Sequence, residues 1–244
     1  MLFERYADDY ARYRPCYPHK VLLSLRQRFD LHEGKVTLDL ACGTGILGRQ
    51  IYNLTKSRVF GVDPSRVLLK HCFSIKAVCG TAEAIPFKTG SFDVVLIGQA
   101  LHWFDLGLAL KEIKRVTKPA GGLAVLWYRR KRPLSGHQLK FEKLVFKFNP
   151  SYKPDFMDYD WLTIIAKEGG FSDIIYNETD CVLKYSVDDY LKLQRSKSYI
   201  GDALSLGDLK HFMREGKTVL ENEYPDGVVK ERMTFRYVWA TRVS

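Results

Sequence analysis

Two aspartates flank a glycine run at a spacing that builds a ligand site. Asp39 precedes Cys42-Gly43-Thr44-Gly45, Gly48 follows, and Asp63 stands twenty residues beyond Gly43. Glycines let a ligand come close to the main chain, and a helix starting just after them offers N–H groups with no partner inside the helix. A carboxylate has acceptor sites enough for both hydroxyls of a ribose. A second focus lies in GQALHWF, where Gln99, His102, Trp103 and Phe104 follow one another closely. An imidazole can take up a proton, and an aromatic face attracts a cation. His102 reads equally as a satisfied structural histidine, and the two aromatics as core for the helix after them.

Two cofactors compete for the glycine turn. Gly43, Gly45 and Gly48 spell G-x-G-x-x-G with an acid at the distance of a dinucleotide site. Such a site puts a pyrophosphate on the helix N-terminus, and Asp39 stands where it would repel that phosphate. The same carboxylate suits a cofactor without phosphate and with a cationic end, as in S-adenosylmethionine. A nicotinamide-dependent oxidoreductase is therefore the weaker reading.

The elements that must hold these residues read as an α/β chain. Val36, Leu38 and Leu40 alternate with Thr37 and Asp39 as a strand, and Ile46-Leu47 with Ile51 begin a helix. Residues 58–63 form a second strand ending in Asp63, with Pro64 expected to open the next helix. Residues 77–79 are a third short strand, and the apolar run from Phe92 to Ile97, broken by Asp93, has the character of a strand covered on both faces. A helix over 106–116 leads through Ala120-Gly121-Gly122 into a fifth strand over 123–128. Ahead of the first strand, Phe3, Tyr6, Ala7, Tyr10 and Tyr13 space as an amphipathic helix ended by Pro15. A second helix starts at Pro18, carries Val21, Leu22, Leu25 and Phe29, and stops at Gly34. Beyond Pro133 the alternation lapses: helices are expected near 139–148, 161–166, 187–199 and 204–220, with the loop FNPSYKPDFMD between the first two. Strand character returns at 171–176 and 181–185. Alternating Met233, Phe235, Tyr237 and Trp239 make a last strand over 228–241.

DLACGTG, followed in order by VFGVDPS, GTAEAIPF and KRVTKPAGGLAVL, resembles the class I S-adenosylmethionine-dependent methyltransferases. The leader FERYADDYARYRPCYP is similar to that of their trans-aconitate methyltransferase-like subgroup. The resemblance implies a Rossmann-like, doubly wound, mostly parallel seven-stranded sheet with an antiparallel last strand and a helical cap. It divides one methyltransferase domain, 1–244, into a helical leader (1–34), a cofactor-binding core (36–130), cap insertions (133–168 and 186–222) and the last strand (228–241). It implies cofactor contacts from Asp39, Ala41, Gly43, Gly45, Asp63, Pro64 and Gln99, with Ala82 and Glu83 at the adenine and Tyr10 and Arg14 folding over the amino-acid end. Trp103, Phe104 and Arg129 would line the acceptor pocket, with His102 as base where the acceptor is a hydroxyl or an ammonium. A carboxylate acceptor needs none, being ionised already. The chain departs from the pattern at Ala41, where alanine fits if its dihedrals are ordinary, and at Ala120.

Composition bounds the partners. The net charge of +10 raises anionic partners, and Arg129-Arg130-Lys131-Arg132 is its densest cluster; the bland reading is solvated surface. A nucleic-acid methyltransferase is the first alternative, although no Asn/Asp-Pro-Pro-aromatic turn follows the fourth strand. A cofactor-binding partner subunit without turnover is the second. The favoured acceptor is a small molecule, with a carboxylate first among the candidates; its identity and the oligomeric state are not written in the sequence. Five scattered cysteines without C-x-x-C pairs indicate neither a disulfide framework nor a zinc site, but reduced, mostly buried thiols. No apolar run approaches the roughly 20 residues of a membrane span, and the first residues lack a signal peptide's apolar stretch. A cytoplasmic protein is expected.

Overall fold

The computed structural model describes residues 3–154, 160–168 and 170–243. Residues 155–158, the end of the FNPSYKPDFMD loop, lie outside them. Strands β1 (Val36–Leu40), β2 (Arg58–Asp63), β3 (Lys76–Cys79), β4 (Phe92–Gly98), β5 (Thr117–Arg130), β6 (Phe171–Ser186) and β7 (Val228–Arg242) form one sheet in the order β3-β2-β1-β4-β5-β7-β6. β1 through β5 pair in parallel, and the last strands run antiparallel. The order reverses beside β1, where the chain crosses from β3 to β4. That is the position at which open α/β sheets bind ligands, outside the carboxyl ends of the strands.

The chain separates into two compact units. One contains residues 16–128, 157–179 and 235–244; the other contains 1–15, 129–156 and 180–234. In the first-named, the sheet unit, Leu38, Leu40, Val95, Ile97, Leu123 and Val125 are buried from the strands, with Leu110 and Ile113 from helix α5 (Leu106–Val116) against them. Asp93 interrupts the apolar run of β4 for a reason: Oδ2 accepts from Val36 N–H at 2.8 Å, and Lys118 Nζ lies 2.9 Å away. Helix α7 (Trp161–Glu168) joins this core through Trp161 and Ile165. The second, helical unit packs α6 (His137–Phe148), α8 (Val187–Arg195) and α9 (Leu206–Glu223) around Phe141, Tyr190 and Phe212. Helix α1 (Ala7–Tyr13) is tied to α8 by Asp9 and Arg195 at 2.5 Å.

Several boundaries differ from the sequence pattern. Helix α1 begins at Ala7, leaving Phe3 and Tyr6 ahead of it, and α2 (His19–Arg28) ends before Gly34, because Asp30 takes a left-handed φ of 47°. Pro64 does not open α4 (Arg66–Leu69); Ser65 is its N-cap, its side chain accepting from Leu68 N–H, and the helix is one turn long. Residues 171–186 are a single strand, and α8 gives way to a π-helical turn at Ser198–Asp202. Ala41 and Ala120 do not keep ordinary dihedrals: their φ values are 54° and 58°. At Ala120 the β5 side carries extra residues between the pairs Phe92/Thr117 and Val94/Gly122, so the chain bulges there. Of the five thiols only Cys42 is buried; Cys16 and Cys79 are exposed. Scattered positions in a chain do not report burial, and the four that are not buried fall in loops (Cys16, Cys72) or on the edge strands β3 and β6 (Cys79, Cys181). Among the described residues no helix is long and apolar enough to cross a membrane.

Candidate functional site

The glycine turn is built by its neighbours' carboxylates. β1 delivers Asp39, which is 1% exposed, and its Oδ2 accepts from Gly48 N–H at 2.8 Å in the first turn of α3 (Ile46–Thr55). A Cβ on Gly48 would lie 2.9 Å from that oxygen, so glycine is what permits the contact. One amide that would otherwise face a phosphate is thus already held by a carboxylate. Burial, assisted by the charge of Asp63 and opposed by the Gly48 N–H, pushes the Asp39 carboxyl up to about 7. Asp63, at the end of β2, spends one oxygen on Gly43 N–H and the other on Ser65 N–H, each at 2.8 Å. Three residues of the turn, Ala41, Gly43 and Gly45, have positive φ, and its amides are spent inside the protein, Cys42 N–H on Val62 O at 3.0 Å and Gly45 N–H on Cys42 O at 2.8 Å. Thr44 Oγ1 is buried there with no partner among the described residues.

The end of β4 supplies the second wall. Gln99 has φ 60°, a strained value for a non-glycine residue. Its N–H donates to Leu126 O at 2.9 Å and its Nε2 to Tyr128 O at 3.0 Å, while Oε1 stays buried and without a partner among the described residues. Nothing in the sequence singles out Tyr17, yet its hydroxyl lies where a Cβ of Gly98 would come within 2.6 Å. Gln50 fixes the Tyr17 main chain with two hydrogen bonds of 2.9 Å. In the short 3-10 helix Leu101–Trp103, burial alone pushes the His102 imidazole down to about 4. Its ring lies 4.8 Å from that of Trp103. The expected aromatic pair divides: Trp103 is 51% exposed, whereas Phe104 packs on the sheet's core.

The loop after β3 closes this end of the site. Thr81 bridges Ala84, Ala82 is turned into the core, and Glu83 Oε1 accepts from Asp105 N–H at 3.1 Å. Main-chain groups are what the turn leaves for a ligand. Arg115 of α5 staples the following residues, donating to Phe87 O at 2.8 Å and Ile85 O at 2.9 Å while pairing with Glu112 at 2.6 Å. Asp39, Ala41, Gly43, Gly45, Asp63, Pro64, Ala82, Glu83, Gln99, His102, Trp103 and Phe104 all belong to the sheet unit. Tyr10, Arg14 and Arg129 belong to the helical unit, where the Arg14 guanidinium lies over the Tyr10 ring at 4.6 Å and donates to Ser196 O at 3.0 Å.

These groups fit a cationic nucleoside cofactor. Two carboxylates and the open Gln99 Oε1 accept hydrogen bonds or positive charge, and the Thr44 hydroxyl can donate, while the amides of Gly43 and Gly48 are already taken by Asp63 and Asp39. A protein-family model described as a methyltransferase domain matches residues 38–125. An uncharacterised methyltransferase of Schizosaccharomyces pombe is 30% identical over 79% of this chain and 76% of its own length. A structure from Anaeromyxobacter dehalogenans, named as a candidate type II methyltransferase, superposes with a TM-score of 0.69 at 18% identity, covering 95% of this chain and 98% of that one. Phosphoethanolamine N-methyltransferase 2 of Haemonchus contortus, solved with S-adenosyl-L-methionine, gives 0.58 at 19% identity over 99% of this chain and 57% of that one. With its acid-flanked glycine turn and a relative matched along most of both chains, the protein belongs to the class I S-adenosylmethionine-dependent methyltransferases.

Proposed function

We propose that the protein methylates a small-molecule acid on its carboxylate, in the manner of the trans-aconitate methyltransferase-like subgroup. The observation that carries this reading is His102. Burial pushes its basicity down to about 4, which makes it a poor base near neutral pH and favours an acceptor that is already ionised. A carboxylate is.

When bound, S-adenosylmethionine supplies a methyl group on a sulfonium, activated for in-line displacement with a neutral leaving group. The protein's part is then position and a dry pocket. Asp63 would accept the ribose hydroxyls while keeping Gly43 in place, Asp39 would balance the cationic end, and main chain near Ala82 and Glu83 would hold the adenine. Tyr10, Arg14, Ala41, Gly45, Pro64 and Gln99 are assigned to the cofactor, Trp103, Phe104 and Arg129 to the acceptor. His102, neutral throughout the physiological range, orients the acceptor. The segments 133–168 and 186–222 are assigned to acceptor recognition.

The nucleic-acid alternative draws on the basic run 129–132, but much of that charge is spent at home. Lys131 pairs with Asp180, Arg132 Nη2 lies 3.5 Å from Glu142, and Arg130 Nη1 donates to Gln138 O. The test is mass spectrometry of a cell extract incubated with methyl-labelled cofactor. A labelled methyl ester of a small acid supports the proposal; label in RNA, or on an amine or hydroxyl alone, refutes it.

A further inference from the structure

The sheet unit brings together two thiols that methyl transfer does not use. Cys42 stands in the glycine turn itself, between Ala41 and Gly43, and Cys72 lies after the end of α4, in the stretch that leads to β3. The glycines around them show how close they come. A Cβ on Gly45 would lie 2.5 Å from Cys72 Sγ and 3.7 Å from Ile75 Cδ1, and one on Gly61 would lie 2.7 Å from Cys42 Sγ and 3.2 Å from the same Ile75 methyl. Both sulfurs therefore border one methyl group in the gap between the turn and β2, and they are hydrogen-bonded to each other.

The two thiols are unequal. Cys42 is buried, whereas Cys72 is half-buried on a stretch whose next residue, Phe73, is 87% exposed, so a small solute reaches Cys72 first. The hydrogen bond to Cys72, then burial and the charges of Asp39 and Asp63, push the Cys42 thiol up. The same hydrogen bond lowers the Cys72 thiol, with Arg49 assisting and burial, Asp39 and Asp63 opposing. A partly exposed thiol that ionises readily beside a protonated one supplies both roles in oxidative chemistry: one sulfur to be oxidised and one to resolve it. The turn that carries Cys42 is clamped around it. Cys42 N–H donates to Val62 O at 3.0 Å, Gly45 N–H to Cys42 O at 2.8 Å, and the adjoining Gly43 N–H to Asp63 at 2.8 Å. A displacement of Cys42 is thus passed on to Asp63, the carboxylate assigned to the ribose.

We propose that Cys42 and Cys72 are a peroxide-oxidisable pair whose disulfide ties the stretch before β3 to the glycine turn and weakens S-adenosylmethionine binding. Cys72, as thiolate, attacks one oxygen of a peroxide. The O–O bond breaks, the hydroxide released takes up the proton that Cys72 shed and leaves as water, and Cys72 becomes a sulfenic acid. The Cys42 sulfur then attacks the Cys72 sulfur, the S–O bond breaks, and the hydroxide leaves with the Cys42 proton as a second water. Two thiols lose two electrons, and the peroxide gains them. A disulfide holds its sulfurs about 2 Å apart, closer than hydrogen-bonded thiols, so closing it pulls Cys42 away from its place beside Gly43. The inference rests on the cofactor assignment of Asp63 and not on the acceptor.

The experiment uses the full chain, reduced, freed of reductant and treated with hydrogen peroxide, as wild type, Cys72→Ser and Cys42→Ala. Peptide mass spectrometry of the alkylated wild type should show Cys42 joined to Cys72, two hydrogens lighter than the separate thiols and reopened by dithiothreitol. Calorimetric affinity for S-adenosylmethionine should fall about tenfold or more on oxidation and recover with dithiothreitol. Cys72→Ser should bind the cofactor as the reduced wild type does and keep that affinity through peroxide treatment. Cys42→Ala should hold the Cys72 sulfenic acid, trapped by dimedone, in place of the cross-link. By reciprocity, a tenfold loss of affinity requires saturating cofactor to raise the pair's reduction potential by about 30 mV in glutathione buffers. A cross-link between other cysteines, a wild type that binds the cofactor equally well once the pair has closed, or a Cys72→Ser variant that loses affinity with peroxide overturns the proposal. If oxidation closes the pair and weakens binding while no small acid is methylated, the switch stands and the acceptor reading falls.

Discussion

Replacing Asp39 with asparagine should move stability and cofactor affinity in opposite directions. Asp39 is buried, and its pKa rises from 3.8 to about 7 in the folded protein. Between those values the folded state keeps a proton that the unfolded chain has lost, so stability falls as pH rises through this window and levels off above it. The shift corresponds to at most about 4 kcal/mol of destabilisation at pH 8. Asparagine keeps an oxygen for the Gly48 N–H, which donates to Asp39 at 2.8 Å, and carries no charge. Asp39→Asn without cofactor should therefore gain about 2–4 kcal/mol at pH 8 and close to nothing at pH 4, read from urea unfolding at both. If Asp39 balances the cationic end as proposed, the variant's affinity for S-adenosylmethionine should drop about tenfold or more. The wild type should release a proton on binding below pH 7, with affinity about tenfold weaker at pH 6 than at pH 8, countable by calorimetry in buffers of different ionisation enthalpy. A variant less stable than the wild type at pH 8, or one binding the cofactor equally well, would refute the reasoning.

Asp63→Ala removes the acceptor for both Gly43 N–H and Ser65 N–H. Cofactor affinity should fall at least about tenfold by titration calorimetry; a near-wild-type value discredits the ribose role. Burial pushes the His102 imidazole down to about 4, so its NMR signals should not shift between pH 5.5 and 8. His102→Ala should lower turnover and leave cofactor affinity intact, and unaltered turnover on the true acceptor would remove it from the site. Ala41→Gly and Ala120→Gly relieve left-handed backbone at φ 54° and 58°, so each should add about 1 kcal/mol in denaturant unfolding. A loss of stability in either would mean the strained geometry is not kept in solution.

The sheet unit is legible in the chain because local pattern and global position agree there. Val36 to Leu40 alternates, Asp39 and Asp63 sit at strand ends, and the glycines between them have one steric use. What the pattern does not carry is dihedral angle. An alanine at position 41 looks harmless in sequence; only the tight return of Cys42 N–H to Val62 O at 3.0 Å makes the residue before it left-handed. Helix ends slipped for a related reason. Gly34 and Pro64 are ordinary boundary signals, but Asp30 and Ser65 reached the boundary first, through a positive φ and a side-chain cap. Tyr17 left no periodic signal, since its importance comes from a partner, Gly98, eighty-one residues away.

The helices of the second unit are legible, since α6, α8 and α9 lie where the periodicity over 139–148, 187–199 and 204–220 predicts them; the meetings of their side chains are not. Arg130, Tyr152, Lys197 and Glu231 come from four separate stretches, and each stretch taken singly looks like surface: a basic run, a Pro-flanked loop, a helix end and an edge of a strand. Their contacts appear only in the fold: Arg130 Nη1 donates to Gln138 O, Tyr152 stacks on Tyr199, and Lys197 Nζ donates to Gln194 Oε1. Local rules would place such side chains in water, where they cost nothing. Glu231 shows why the pattern fails: a carboxylate in a strand reads as solvent-facing, yet it is 2% exposed because His137 Nε2, 2.7 Å from Oε2, and Gln138 Nε2, 3.0 Å from Oε1, reach it from more than ninety residues away in the chain.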